Sequence, residues 1–241
     1  MIEKYNEYDR WDAATTSYAG APAYAKLFRS VYIWMTLALA ATGLTAMFVA
    51  EYLTKHPDMF SGGLFIGLAI AEVALVFILS ARVNKMSFAT AGIMFAAYSV
   101  LNGATMSVLF LAYTMESIAS TFFITAGTFG AMALIGSVTK TDLTKFSSLM
   151  GMALIGLIIA SVVNLFWANS TLYWIITYVG VLLFVGLTAY DAQNIKNMLQ
   201  QYGTEENDAT QKVALMGSLS LYLDFINLFI YLLRILGTRR D

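Results

Sequence analysis

Long stretches without charged residues dominate the pattern of hydrophobic and polar positions along this chain. An α-helix needs about 20 largely apolar residues to cross the roughly 30 Å of hydrocarbon in a bilayer. Several stretches reach that length, the second of them interrupted only by Glu72 and the last containing Asp224. They cover residues 31–50, 62–81, 86–115, 117–139, 146–190 and 213–236.

The stretch at 146–190 is long enough for two membrane helices. Polar, turn-forming residues cluster at 168–171, and such clusters mark the turn between two elements. The pattern therefore predicts seven membrane-spanning helices, with the fifth at 146–167 and the sixth at 172–190. The connecting loops are expected to be short, except for a polar loop at 192–212.

Composition narrows the class of protein. Hydrophobic residues make up 59% of the 241 residues and charged residues 12%, against about 45–50% and about 25% in ordinary soluble domains. These values exclude a soluble enzyme, a disordered chain and a coiled coil, and they predict an all-α membrane protein, a seven-transmembrane-helix bundle. With no cysteine and one histidine, the chain offers neither a thiolate metal site nor a histidine metal cluster. A net charge of −1 argues against a nucleic acid partner, and we expect no enzymatic activity.

The chain divides into a cytoplasmic N-terminal tail at 1–28, a transmembrane domain at 29–237 and a short C-terminal tail at 238–241. The first 28 residues carry several charges and lack an early apolar core, so they are not a signal peptide.

Lysine and arginine positions predict the orientation, because cytoplasmic loops carry an excess of both. If the helices alternate in direction, ten of these residues lie on the side of the amino terminus, whereas the loops of the other side hold Lys55. The amino terminus is therefore expected in the cytoplasm. Seven full crossings place the carboxyl terminus outside, where its arginines are disfavoured. The alternative is a last helix that dips into the membrane and returns, which would leave these arginines in the cytoplasm. We favour seven crossings. The ten residues are Lys4, Arg10, Lys26, Arg29, Arg82, Lys85, Lys140, Lys145, Lys196 and Lys212.

Acidic side chains lie within or at the end of three apolar stretches: Glu72, Asp191 and Asp224. A charge at the centre of a membrane helix costs about 2.5–3.5 kcal/mol on insertion scales, so such residues usually face the interior of a bundle. At about 1.5 Å per residue, Asp224 lies roughly 8 Å inside the cytoplasmic edge, and Asp191 ends the sixth helix near that edge. Arg82 ends the second helix at the same face, so three charges from three helices are expected at one depth.

An asparagine follows each aspartate by three positions, Asn194 after Asp191 and Asn227 after Asp224, and therefore lies on the same helical face. Carboxylate and amide oxygens are ligands that Ca²⁺ prefers, so Asp191 and Asp224 are candidate metal ligands. Two adjacent carboxylates also resist double ionisation and can share one proton, which would make the pair a pH sensor. An arginine reaching in from the second helix would stabilise the ionised form.

Structural roles are the alternative for the same residues. An aspartate in a membrane helix often hydrogen-bonds a neighbouring helix, and Asp191 at a helix end is open to solvation. A protonated Glu72 would bond to a neighbouring serine or a backbone carbonyl. Arg82 would act as an interface anchor, with its charged end in the headgroup region.

The chain also resembles a known family. The resemblance rests on the segment Leu187-Thr-Ala-Tyr-Asp-Ala-Gln-Asn-Ile-Lys196 and on the segment Leu219-Ser-Leu-Tyr-Leu-Asp-Phe-Ile-Asn-Leu-Phe229. Both resemble the transmembrane Bax-inhibitor-motif (Bax inhibitor-1-like) family, in particular its bacterial inner-membrane branch. The resemblance extends over residues 25–240 and leaves out residues 1–24.

The resemblance implies a seven-helix bundle with a central last helix, placed in the bacterial inner membrane, and a pH-sensitive leak of Ca²⁺. The family's paired-aspartate sensor matches Asp191 and Asp224, and the acidic residue of its second helix matches Glu72. The family's latch arginine falls at Val83 when counted from Glu72, one residue from Arg82. One residue turns a helical side chain by about 100°, so Arg82 does not point in the direction of the family's latch arginine. Family members are also linked to binding of other membrane proteins, including membrane proteases.

Two functions follow as hypotheses. In the first, the protein is a pH-gated leak with Ca²⁺ as the transported ion and no bound cofactor. The aspartate pair and Arg82 form its sensor and gate, and Glu72, Asn194 and Asn227 line the ion pathway. In the second, the protein is a regulatory membrane protein that binds another membrane protein without ion flux.

An intramembrane aspartyl protease is a weaker alternative. Two aspartates on consecutive membrane helices are similar to that arrangement. That class needs the sequence Gly-x-Gly-Asp at the second acid, whereas Tyr222 and Leu223 precede Asp224 here.

Overall fold

The protein folds into α-helices. The structure, a computed structural model, describes residues 3–59, 62–202 and 207–240, with side chains at 25–59, 62–201 and 207–240. Within these residues, seven helices are long and apolar enough to cross a membrane, which confirms the predicted seven-helix membrane fold. The helices are α1 (Glu3–Lys55), α2 (Gly62–Arg82), α3 (Phe88–Ala112), α4 (Met115–Val138), α5 (Ser147–Trp167), α6 (Ser170–Tyr202) and α7 (Asp208–Leu236).

The helices begin where polar capping residues interrupt the apolar runs. Ser87, Thr114 and Asn207 precede α3, α4 and α7, and each side chain accepts a hydrogen bond from a backbone N–H of the first turn. The predicted break between the fifth and sixth helices is confirmed, because α5 ends just before Ala168, which adopts a left-handed conformation with φ of 47°. This backbone conformation is uncommon for a residue with a side chain, and it allows the chain to reverse.

The prediction of a polar loop at 192–212 is wrong. α6 does not end at residue 190 but continues to Tyr202, and α7 begins at Asp208 rather than at residue 213. Ala192, Ile195 and Leu199 are buried in the core at helical spacing, so this part of the chain is a helix packed on the bundle and not a solvated loop. The uncharged run therefore ends before the helix does.

Burial divides the helices into two classes. In α7, 67% of the most apolar window is buried, compared with 6% in α2 and 6% in α5. α7 packs against α1, α3, α4 and α6, whereas α2 packs mainly on α3 and α5 mainly on α6. The central position expected for the last helix stays a prediction, which the burial of α7 supports.

α7 runs along the full length of α3. At its start, Asp208 Oδ1 accepts a hydrogen bond of 3.0 Å from the backbone N–H of Phe88, the first residue of α3. After its end, the N–H of Arg240 donates to the carbonyl of Ala112, the last residue of α3, at 3.0 Å. α7 therefore begins and ends beside opposite ends of α3, which is the geometry of a full crossing and not of a helix that dips and returns.

The first helix is longer than its apolar run. α1 begins at Glu3, whereas its span that is apolar enough for a membrane begins at Ala25. The side chains of residues 3–24 lie outside the described residues, and so does most of the charged surface expected for the tail at 1–28.

Candidate functional site

Asp191 and Asp224 meet between α6 and α7. At about 1.5 Å per residue, Asp191 lies about 16 Å before the end of α6, and Asp224 lies about 24 Å after the start of α7. Their carboxyl groups interact directly, and the Ser220 hydroxyl, one turn before Asp224, lies beside Asp191. The structure thus brings together the two aspartates that the sequence places at one depth.

Asp224 is the more enclosed member of this pair. It is 5% exposed, whereas Asp191 is half-buried. Its Oδ2 has no hydrogen-bond partner among the described residues. Because an unsatisfied buried polar atom costs about 1–3 kcal/mol or more, native proteins rarely keep one without a functional or ionic reason.

A glycine and a glutamine fix α6 on either side of Asp191. A Cβ atom on Gly136 of α4 would collide with the backbone carbonyl of Ala189, so glycine is what allows the two helices to approach. One turn further along α6, the Gln193 side chain accepts from the N–H of Leu143 and donates to the carbonyl of Thr141, both at 2.8 Å. Asp191 is two residues from each of these contacts, so its backbone is held at both sides.

The asparagines predicted to accompany the aspartates lie one turn further along their helices. Asn194 and Asn227 are half-buried, and neither bonds to an aspartate within the described ranges. The Asn227 amide donates to the carbonyl of Leu223 at 2.8 Å. Among the described residues no three acidic, histidine or cysteine side chains gather as a metal-binding group, so the charged oxygens near the pair are its own carboxylates.

Glu72 lies in a separate cluster on α2. The Thr105 hydroxyl donates to its Oε1 at 2.5 Å, and the Asn102 amide donates to its Oε2 at 3.3 Å. Both oxygens of this half-buried carboxylate therefore have a donor from α3. The structure does not bring Glu72 to the aspartate pair.

Tyr222 links this Glu72 cluster to α7 and α1. Its hydroxyl donates to Asn102 Oδ1 at 3.0 Å and lies 2.7 Å from the Thr42 hydroxyl of α1. The ring is fully buried between two aromatic rings of α3. A chain of hydrogen bonds thus joins α1, α2, α3 and α7 in the interior of the bundle.

Arg82 is not brought to the aspartate pair. It lies at the end of α2, is exposed, and forms no ion pair with Asp191 or Asp224 in the part of the chain that the structure describes. The next residue, Val83, is 8% exposed and belongs to the hydrophobic core. An apolar side chain therefore occupies the inward position at this helix end, and the role of Arg82 as a latch stays a prediction.

Sequence reasoning missed the neutral members of both clusters. Serine, threonine, asparagine and tyrosine are common in membrane helices, so the residue type alone carries little signal. Their positions carry more signal than their types. Ser220 and Tyr222 lie within one turn of Asp224, and Asn102 and Thr105 share a face of the third helix at a spacing of three. The missed residues are Thr42, Asn102, Thr105, Ser220 and Tyr222.

Known proteins similar to this chain cover nearly all of it. The family model described as "Inhibitor of apoptosis-promoting Bax1" matches residues 24–241. Inner membrane protein YbhL of Escherichia coli is 45% identical over 236 residues, which are 98% of this chain and 100% of that protein. Uncharacterised proteins of Borreliella burgdorferi and Rickettsia prowazekii are each 43% identical, covering 90% and 88% of this chain and 93% and 89% of their own lengths.

These matches include α6 and α7 with Asp191 and Asp224, and they agree with seven helices long and apolar enough to span a membrane. The chain therefore belongs to the Bax inhibitor-1-like family of membrane proteins.

Proposed function

We propose that this protein is a pH-sensitive Ca²⁺ leak channel of the bacterial inner membrane, with Asp191 and Asp224 as its proton sensor near the cytoplasmic face and with its amino terminus in the cytoplasm. The observation that carries the proposal is the contact between two carboxyl groups from α6 and α7 inside helices of membrane length. Acidic side chains at such positions are rare, and they usually mark an ion or proton pathway.

A shared proton accounts for two carboxyl groups in so apolar a setting. Two ionised carboxylates in contact repel each other, whereas a carboxyl and a carboxylate attract through the proton between them. Gain of a second proton or loss of the shared one therefore changes the force between α6 and α7, which pack along each other. This is the proposed origin of the pH sensitivity.

The same oxygen atoms suit a passing Ca²⁺ ion. Ca²⁺ takes about 6–8 oxygen ligands, and the pair offers two carboxylates with the Ser220 hydroxyl beside them and the amides of Asn194 and Asn227 one turn away. Such an incomplete set binds a cation weakly. Conduction requires such weak binding, because an ion must also leave the site. In this proposal Ca²⁺ is the transported ion, and the chain needs no cofactor and catalyses no reaction.

Glu72 and Arg82 have secondary places in the proposal. Glu72 adds a second carboxylate along the ion pathway, away from the sensor. For Arg82 to act as the gate's latch on the ionised aspartates, the end of α2 has to rotate or unwind, because Val83 occupies the inward position there.

The test is Ca²⁺ flux into proteoliposomes loaded with a Ca²⁺-sensitive dye, from about pH 5 to about pH 8. The wild type should carry a flux above that of empty liposomes, and the flux should change with pH. Asp191→Asn and Asp224→Asn each remove one titrating group at nearly constant side-chain size, so each should flatten the pH dependence. Asp142→Asn is the matched control, because Asp142 is exposed in the turn before α5.

Two results would contradict the proposal in different ways. If the pH dependence were unchanged in both aspartate variants, the protein would still be a leak channel, but the aspartate pair would not be its sensor. Absence of flux above empty liposomes at every pH would remove the leak. It would favour the second hypothesis, a regulatory membrane protein that binds another membrane protein, such as a membrane protease.

A further inference from the structure

A long groove separates α1 from α4 on the outer side of the bundle. Both helices pack on α7 and contact α6, but they do not pack closely on each other. The groove between them has a volume of about 920 Å³. Its floor contains the buried rings of Phe129 and Phe225, and its rims contain the exposed side chains of Leu44 and Leu134. It is therefore an apolar channel that opens toward the hydrocarbon of the bilayer.

The dimensions of the groove suit acyl chains better than a helix. At about 1.5 Å per residue, it extends for about 28 Å along α1, from Phe28 to Met47, and for about 22 Å along α4, from Phe122 to Ser137. Over such a length, 920 Å³ corresponds to a mean cross-section of about 33–42 Å². A helix with its side chains is about 10 Å across and has a cross-section of about 80 Å². A whole helix does not fit into the groove, whereas extended acyl chains, which are thinner, do.

Small residues on both walls leave this space open. Gly43 of α1 and Gly130 of α4 line the groove, and a Cβ atom on either would meet no described residue within 4 Å. Gly136, two turns further along α4, differs because its Cβ atom would collide with the backbone of Ala189 on α6. The two glycines of the groove are therefore not required for a contact between helices, and the space beside them belongs to the groove.

The polar side chains that line the groove gather at one end. They are Tyr32, Thr36 and Ser137, and this end lies toward the start of α1, which is cytoplasmic in the proposed orientation. The Lys196 ammonium group of α6 donates to the carbonyl of Ser137 at 2.6 Å, which places a positive charge at the same end. Lys196 forms no ion pair with any residue that the structure describes.

Further positive charges lie at this level of the bundle. Lys26 and Arg29 are exposed near the start of the apolar span of α1, and Lys140 is exposed two residues after the end of α4. The acidic residue that follows in the same connection, Asp142, accepts its hydrogen bonds from Thr144. Basic sites at the ends of membrane helices attract anionic lipid headgroups. An apolar groove with a positively charged end is complementary to a phospholipid with an anionic headgroup.

We propose that the groove between α1 and α4 binds one anionic phospholipid of the cytoplasmic leaflet, with its acyl chains along the apolar walls and its phosphate beside Lys196. A neutral phospholipid would fill the walls and leave the charged end without a counter-ion. A free anion would lack the apolar contact. None of the described residues that line the groove is acidic, so the site is separate from the aspartate pair and from Glu72, and it does not depend on ion flux.

The first test is native mass spectrometry of the full chain in detergent, with equal amounts of phosphatidylglycerol and phosphatidylcholine that carry the same acyl chains. We expect the wild type to retain one phosphatidylglycerol molecule in preference to phosphatidylcholine. Lys196→Gln keeps an N–H donor for the Ser137 carbonyl but removes the charge. The preference should therefore fall about fivefold, the effect of one lysine near a lipid surface.

Lys85→Gln is the matched control for the charge. Lys85 is exposed between α2 and α3, at the same face of the bundle as Arg82 and away from the groove, so its replacement should leave the preference unchanged. A wild type without preference between the two lipids, or an equal fall in Lys196→Gln and Lys85→Gln, would overturn the proposal.

The second test blocks the groove without changing its charge. Gly43→Phe and Gly130→Phe each place a ring in the groove from opposite walls, so one remains informative if the other fails to fold. Gly67→Phe is the control, because Gly67 is exposed on α2 and its Cβ atom would also meet no described residue within 4 Å. Bound phosphatidylglycerol should be lost in the two groove variants and kept in the control.

Full retention of phosphatidylglycerol in a folded groove variant would overturn the proposal. So would a lipid-free dimer that the groove variants dissociate, which would assign the groove to a second copy of the chain. A protein that retains the lipid as expected but carries no Ca²⁺ flux would support the lipid site and contradict the leak, so the two proposals can fail separately.

Discussion

The Glu72 cluster and the aspartate pair, which both contact α7, differ in how their oxygens are satisfied. Both carboxylate oxygens of Glu72 accept hydrogen bonds from neutral donors on α3, at 2.5 Å and 3.3 Å. Asp224 instead faces another acid, and its Oδ2 has no hydrogen-bond partner within the described ranges. The first arrangement gives each carboxylate oxygen a neutral donor, whereas the second places two acids together and leaves one oxygen without a donor.

This difference is the reason why the proposed sensor is the aspartate pair and not Glu72. A buried polar group with all of its partners mainly fixes the structure around it, whereas an incompletely paired one is where a protein responds to protons or ions. α7 contacts both clusters, because Tyr222 donates to Asn102 of the Glu72 cluster and Asp224 belongs to the aspartate pair.

The largest effect is expected at the backbone contact beside the aspartate pair. Gly136→Ala places a methyl group against the carbonyl of Ala189, and a backbone cannot yield as a flexible side chain can. We expect a loss of about 3 kcal/mol of stability, the upper end for overpacking, and an altered pH profile of flux because α6 is displaced. Thermal unfolding in detergent measures the first effect and proteoliposome flux measures the second.

Gly130→Ala is the control on the same helix, because a Cβ atom at Gly130 meets nothing within 4 Å. Alanine forms helices better than glycine by up to about 1 kcal/mol, so this variant should be as stable as the wild type or slightly more so. Equal melting temperatures for the two variants would show that the contact between α4 and α6 is not tight.

Replacement by leucine should have opposite consequences in the two clusters. Glu72→Leu leaves the Asn102 amide and the Thr105 hydroxyl without their acceptor, so stability should fall by about 1–3 kcal/mol. The double variant with Asp191→Leu and Asp224→Leu removes both members of the pair and leaves neither carboxyl without its partner, so stability should stay within about 1 kcal/mol of the wild type or rise. Denaturation in detergent separates the cases, and a larger loss in the double variant than in Glu72→Leu would reverse the comparison.

The smallest effect is expected at Asp142, which belongs to neither cluster. Its carboxylate accepts from the Thr144 hydroxyl at 2.6 Å and from the Thr144 N–H at 3.0 Å, and these hydrogen bonds hold the pKa of Asp142 below its usual value. A lowered pKa adds stability that is present above the unfolded-state pKa and is lost as pH falls through the folded-state value.

Asp142→Asn should therefore leave stability at neutral pH and the pH profile of flux nearly unchanged. Thermal melting in acid should show a slightly smaller loss of stability than in the wild type, because the carboxyl that titrates there is gone. A flux profile altered as strongly as in Asp224→Asn would show that the assay does not report on the aspartate pair.

The acidic residues of both clusters can be predicted from the sequence, because a charge inside a long apolar run is conspicuous and costly. The turn at Ala168 follows equally well, from a cluster of turn-forming residues. The end of α6 cannot be predicted in this way, because hydropathy marks where a helix leaves the hydrocarbon and not where it stops. Ile195 and Leu199 continue the core beyond that level. The contact between Tyr222 and Asn102 joins distant parts of the chain, so it needs the fold.

The central claim is that the aspartate pair titrates and that Glu72 does not. Infrared difference spectroscopy between acidic and alkaline pH measures this directly, because a protonated carboxyl group has a C=O stretching band that a carboxylate lacks. We expect such a band in the wild type, its loss in the double variant with Asp191→Asn and Asp224→Asn, and its persistence in Glu72→Gln. A band that persists in the double variant and disappears in Glu72→Gln would contradict the account and assign the sensor to α2.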